Sequence, residues 1–192
     1  MALEPNTFDL AGFLERAAVI EGELIHLAVG LTESQFHAPG RNGGWSVGFC
    51  MEHLILAVDA LLPGLDAAIL GLPAGPDSGA RPGHNWWRRK LIRIVEDPSQ
   101  LKRTAPPALV PYTRRTIVET VTHFRDVHQS LLDRASRSSR LDLRGVKVPS
   151  PVVPWMFHPI EYSFDLTLAH ERRHLAQARN TRLSLNHNGH TV

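Results

Sequence analysis

At 192 residues, 43% hydrophobic and 21% charged, the chain is long enough for one domain with a real core and too apolar for wholesale disorder. A formal net charge of +2 is too small to argue for a nucleic-acid binder, although the sequence pI is about 9.0. The single cysteine, Cys50, excludes an internal disulfide and suits a reducing compartment.

The first twenty residues, MALEPNTFDLAGFLERAAVI, carry Glu4 and Asp9 where an export signal carries basic residues, and Glu15 and Arg16 interrupt the apolar run. No stretch approaches the roughly 18 apolar residues that span a bilayer. The expectation is a cytoplasmic protein, a single domain over 1–192, with no membrane partner.

Four long helices are predicted. The first covers about 8–30, with Phe8, Phe13, Ala17, Ile20, Leu24 and Leu27 as one apolar stripe. The second opens at Ser46, an N-cap after the loop APGRNGG, and runs to about residue 70. The third covers about 112–136, turning Ile117, Val121, Phe124, Val127, Leu131 and Leu132 inward. The fourth covers about 159–180, starting at Pro159, a favoured first helical residue. Few segments alternate like strands, so the class is all-α, a four-helix bundle. The Pro- and Gly-rich insertion over about 71–111 is too long for a tight hairpin and permits a crossover between helices two and three. A short helix is expected inside it, near Trp86–Val95, and a frayed polar tail at 186–192.

The fourth helix contains LTLAHERRHLAQARN, which places His170 and His174 one turn apart on one face, where two imidazoles can reach one metal ion. The same letters spell the metalloprotease motif H-E-x-x-H, with Glu171 as general base. Against that reading, no Asp or Glu follows Glu171, and Gln177 and Asn180 stand where the extended motif needs glycine and histidine. Arg172 and Arg173 also place charge on a helix that a protease core would bury. A third ligand is therefore sought upstream, and His53, early in helix two among Phe49, Leu54 and Leu56, is the candidate. Three imidazoles would leave coordination positions open for water or substrate, as catalytic sites do.

WSVGFCMEHL together with HPIEYSFDLTLAHERRHLAQARN resembles the DinB/YfiT-like superfamily of metal-binding four-helix bundles. In that family a Trp–Ser pair opens the second helix, a histidine follows, and the fourth helix carries H-E-R-R-H-x-x-Q, as residues 170–177 read here. The resemblance implies an up-down-down-up bundle and a divalent ion such as zinc, nickel or iron on His53, His170 and His174. It also implies, for some relatives, transfer of low-molecular-weight thiols, and for others hydrolysis. The insertion with Trp86 and Trp87 lies outside the shared pattern, which makes analogies of substrate unsafe.

The supporting residues admit more than one role. A metal-bound imidazole needs an acceptor for its second nitrogen, and Glu52, Asp59, Asp126 and Asp165 are helical carboxylates that either supply one or sit on solvated faces. Gln177 can hydrogen-bond near the site or cap a carbonyl, and both it and Glu171 are candidate catalytic residues; Glu171 is equally placed for a surface ion pair with its arginine neighbours. Cys50 reads better as a small buried hydrophobe than as a thiolate ligand. His158 is expected to cap the fourth helix or to lie near the mouth of the site, and His123 and His128, five apart, face different ways. The segment RPGHNWWRRKLIRI reads first as an amphipathic helix packing Trp86 or Trp87 on the bundle, then as a cationic lid over the metal, and only weakly as a nucleic-acid surface. The expected function is a metal-dependent enzyme, a thiol transferase or hydrolase acting on a small molecule. The rival is a non-catalytic metal-binding or stress-associated protein; a homodimer is compatible with either.

Overall fold

The computed structural model describes residues 9–75, 86–97, 105–153 and 155–188. Among these are six α-helices: α1 (Leu10–Ala28), α2 (Glu33–Phe36), α3 (Val47–Ile69), α4 (Trp86–Glu96), α5 (Ile117–Ser138) and α6 (Ile160–Asn188). A hairpin of two short antiparallel strands, β1 (Lys147–Pro149) and β2 (Phe157–Pro159), joins α5 to α6.

Helices α1, α3, α5 and α6 form the bundle, with α1 and α3 each packed against both α5 and α6. Pairings along their lengths fix the directions. Glu52 meets Thr120 near the starts of α3 and α5, and Asp66 meets Arg134 near their ends, so those two helices run parallel. Arg16 meets Asp165 and Glu23 meets Arg179, so α1 and α6 are also parallel. Glu21 of α1 reaches Arg125 and His128 of α5 while Glu33 caps the first turn of α5, an antiparallel relation. The course is up-down-down-up, and the insertion makes the crossover.

Three of the four bundle helices start on a side-chain cap. The side chains of Asp9, Ser46 and Thr116 accept from the backbone N–H groups of Gly12, Phe49 and Glu119, satisfying donors that a helix leaves open. The apolar stripe of α1 is buried as predicted from Phe13 to Leu27, and Phe13 meets Phe164 of α6 with ring centroids 5.7 Å apart. Phe8, the first member of that stripe, lies outside the described residues. On α5, Phe124, Val127 and Leu131 are buried, while Ile117, Val121 and Leu132 sit at the core's edge. By length and composition α3 could cross a membrane; here it is the core helix, with most of its surface covered by the bundle.

Three boundaries differ from expectation. The third bundle helix begins at Ile117 rather than near 112, because Thr116 and Glu119 form a reciprocal capping box; Tyr112 is left 89% exposed. The fourth begins at Ile160, Pro159 being part of β2, and continues to Asn188, about two turns beyond the expected end. The expected frayed tail is thus helical over 186–188, and 189–192 lie outside the described residues. The insertion's helix, α4, forms where expected but is oriented differently: Trp86 and Trp87 stack on each other, 3.7 Å between centroids, and both remain more than half exposed. Its half-buried Ile92 and Val95, not its tryptophans, lie inward, and the helix packs along α6.

Candidate metal centre

The Ser46 cap sets the phase of α3 so that His53, two turns on, faces α6. Gly48 in the first turn lets α2 pack against this end of α3: a Cβ there would come within 2.6 Å of the ring of Phe36, the buried anchor of α2. Trp45, just outside the cap, packs its indole edge-on to His53 and stacks on His174 at 5.4 Å and 15°. On α6, His170 and His174 present neighbouring rings with centroids 4.6 Å apart.

The three Nε2 atoms converge. His170 Nε2 lies 3.2 Å from His53 Nε2 and 3.1 Å from His174 Nε2. Such separations are what nitrogens adopt when each sits about 2.1 Å from one ion. His53 Nδ1 donates to the Leu109 carbonyl at 2.7 Å, which leaves the His53 Nε2 lone pair directed at the cluster. His174 Nδ1 is buried with no aligned hydrogen bond, and the Gln177 side chain, one turn on, is the neighbouring group able to accept from it. The donor set is therefore three imidazoles that could hold one metal ion.

Electrostatics keep the rings neutral, the form that binds a metal. Burial, then the proximity of His53 and Arg173, lowers the His170 pKa to about 3. Burial, together with His170, His53 and Arg173, lowers that of His174 to about 2. His53 is also lowered by burial, against a partial opposing effect of its bond to Leu109.

These imidazoles border a cavity of about 1280 Å³ between α3, α6, α4, the turn Pro107–Leu109 and the loop of the β hairpin. Its walls are mostly apolar, with Phe49, Ala57, Leu61, Leu91, Val95, Leu109, Val110, Val153 and Met156 among them. Its polar lining residues include Arg41, Arg173, His158, Ser163, Thr167, Gln177 and Asn180, and no carboxylate lines it among the described residues.

The other sequence candidates lie elsewhere. Glu171 neither borders the cavity nor pairs at the surface. It is fully buried and faces His128 of α5, with Oε2 3.4 Å from His128 Nε2. Burial alone would lower the His128 pKa, but the carboxylates of Glu171 and Glu21 outweigh it and raise that pKa instead. The motif's arginines hold α4: Arg172 forms a two-point pair with Glu96, and Arg173 donates to the carbonyl of Asp97 at the end of α4. Glu52 is buried and bound to Arg115 and Thr120, Asp165 to Arg16, Asp59 sits 3.8 Å from His123, and Asp126 is exposed. None of the four serves the histidines; the carbonyl of Leu109 does, and a backbone atom in an irregular insertion leaves no side-chain signature to read. Cys50 is fully buried and its thiol pushed up to about 12 by burial, so it stays a protonated, apolar filler. His158 sits in β2 rather than capping α6, and lines the cavity with its ring 5.3 Å from Tyr162. Trp45 was visible only as half of the Trp–Ser motif; its packing on two of the three histidines gives that motif a physical reason.

No curated protein sequence and no solved structure matches the chain. The sequence model of the DinB superfamily matches residues 20–178, a span containing His53, His170 and His174 and the whole of α3 and α5, and the chain belongs to that superfamily.

Proposed function

We propose that the protein is a metal-dependent enzyme acting on a small molecule, by thiol transfer or by hydrolysis, with a divalent ion held by His53, His170 and His174. One observation carries this reading: three neutral imidazoles converge through Nε2 at the edge of a large cavity rather than inside a closed shell. When bound, the ion supplies a Lewis acid that would acidify a water or thiol brought beside it. The chain's own residues do the rest. Leu109 fixes the His53 tautomer, Trp45 stacks on the His174 ring, and the apolar walls limit water around the reacting groups.

The test begins with elemental analysis of protein purified without a histidine tag. It continues with a turnover screen of biological thiols with electrophiles, and of hydrolysable esters and amides, in metal-loaded and chelator-treated protein. Metal-dependent turnover of either class is expected. Bound metal with no turnover across both classes would favour a non-catalytic metal-binding protein.

A further inference from the structure

The cavity is larger than a bound water or small thiol requires, since pockets for drug-sized ligands span about 300–1,000 Å³. Its apolar surface is organised. Ala57 and Leu61 follow His53 at helical spacing on α3, so an apolar track of about 12 Å leads away from the metal-ligating ring along one helix face. Leu109, whose carbonyl holds His53, and Val153 from the hairpin loop border the same cavity. Arg173 lies close enough to His170 and His174 to act on their charge, and it lines the cavity, as does Arg41. No carboxylate is among the cavity's described lining residues. Neutral imidazoles would leave a divalent ion's charge uncompensated.

We propose that this cavity binds an amphipathic anion, with an acidic head at the His53–His170–His174 end beside Arg173 and an extended apolar body along Ala57, Leu61 and Val153. The inference rests on the metal reading for its head group and on the cavity walls for its body. A hydrophilic thiol would leave the track unused, whereas each buried methylene gains affinity.

Calorimetric titration of the zinc-loaded full chain with acetate, hexanoate, octanoate and 1-octanol tests both halves. Affinity should rise about three- to fourfold per methylene from hexanoate to octanoate, and octanoate should bind at least about tenfold more tightly than 1-octanol. Ala57→Trp, which fills the track, should abolish the gain from chain length while keeping the zinc content and acetate affinity of the parent. Val153→Trp, which fills the cavity from the hairpin loop rather than from α3, guards against a misfolded α3 variant. A flat response to chain length with zinc bound overturns the inference and leaves the metal centre standing. If zinc fails to load, the metal reading falls by itself, and the same series on the metal-free chain decides: a graded series preferring octanoate to octanol sustains the amphipathic site, and a flat one overturns it.

Discussion

The 2.7 Å bond from His53 Nδ1 to the Leu109 carbonyl ties the ring whose Nε2 faces the histidine cluster to a turn in the insertion. That turn is rigid for a stated reason: Pro106 and Pro107 fix its φ angles, and the Leu109 N–H bonds back to the Pro106 carbonyl at 2.9 Å. Replacing both prolines by glycine should let the carbonyl wander without touching a ligand. Loss of such an outer partner costs about 10- to 100-fold in metal affinity. Competition with a chromophoric zinc chelator measures it, and unchanged affinity would mean that the carbonyl does not orient His53.

The ligand set itself makes a sharper prediction. His53→Ala, His170→Ala and His174→Ala should each lower bound metal well below one equivalent, because each removes a converging Nε2. Deleting residues 186–192 should leave metal content intact. Full occupancy in His53→Ala, or loss on truncation, would move the site toward the chain's end.

Much of this arrangement was legible because helical periodicity exposes it. The Phe13–Leu27 stripe, the Ser46 cap and the i,i+4 histidines each depend on local spacing, which survives folding unchanged. What escaped depends on partners distant in sequence. Glu171 reads as surface charge between His170 and Arg172, and only the packing of α5 on the far side of α6 shows it buried against His128. The tryptophans of α4 read as core anchors, yet the helix is tied down by Glu96 and by its terminal carbonyls instead. The later start of α5 was available locally in the Thr116–Glu119 capping box, which the expected start near 112 overlooked.

The His128–Glu171 pair should matter for stability rather than chemistry. His128→Ala would leave the Glu171 carboxylate in the core without its cation, and breaking a buried pair in this way costs about 3–5 kcal/mol. Glu171→Gln should cost less, because a neutral amide is cheaper to bury, and should leave metal content unchanged since the carboxylate faces away from the cavity. Urea unfolding and elemental analysis separate the two effects. A Glu171→Gln protein that folds normally but loses metal would contradict this placement.

The metal-free protein should show two opposing pH limbs. In the unfolded chain histidines protonate near pH 6.5, whereas His170 and His174 are held at about 3 and 2 in the fold and His53 is also lowered. Below about pH 6.5 the unfolded state therefore binds more protons, and stability falls as pH drops toward about 3. His128 acts in reverse: its raised pKa gives a contribution complete below about 6.5 that fades as pH rises through the folded value. Urea midpoints between about pH 4 and 9 should peak near the middle of that range. A His170→Ala/His174→Ala double variant should flatten the acid limb, and an undiminished limb would show that the drop arises elsewhere.

The attachment of α4 supplies the last prediction. None of its residues is fully buried, so its position depends heavily on Arg172 and Arg173. The Arg172–Glu96 pair is two-pointed, with Nε to Oε1 at 2.7 Å and Nη2 to Oε2 at 3.3 Å, but its side chains are 28% and 41% exposed. A solvated pair of this kind contributes no more than about 1 kcal/mol, too little to change global stability much. Locally the same energy is a larger share of what holds α4, because a helix of eleven residues is marginal without tertiary contacts. Glu96→Ala should therefore leave the thermal midpoint and metal content nearly unchanged while amide exchange over residues 86–96 accelerates several-fold. Because Leu91 and Val95 form part of the cavity wall, the same variant should also release a bound ligand faster. Exchange in α4 that stays at the parent rate would show that Ile92 and Val95 alone secure the helix, and that the arginines between the two histidines are not its latch.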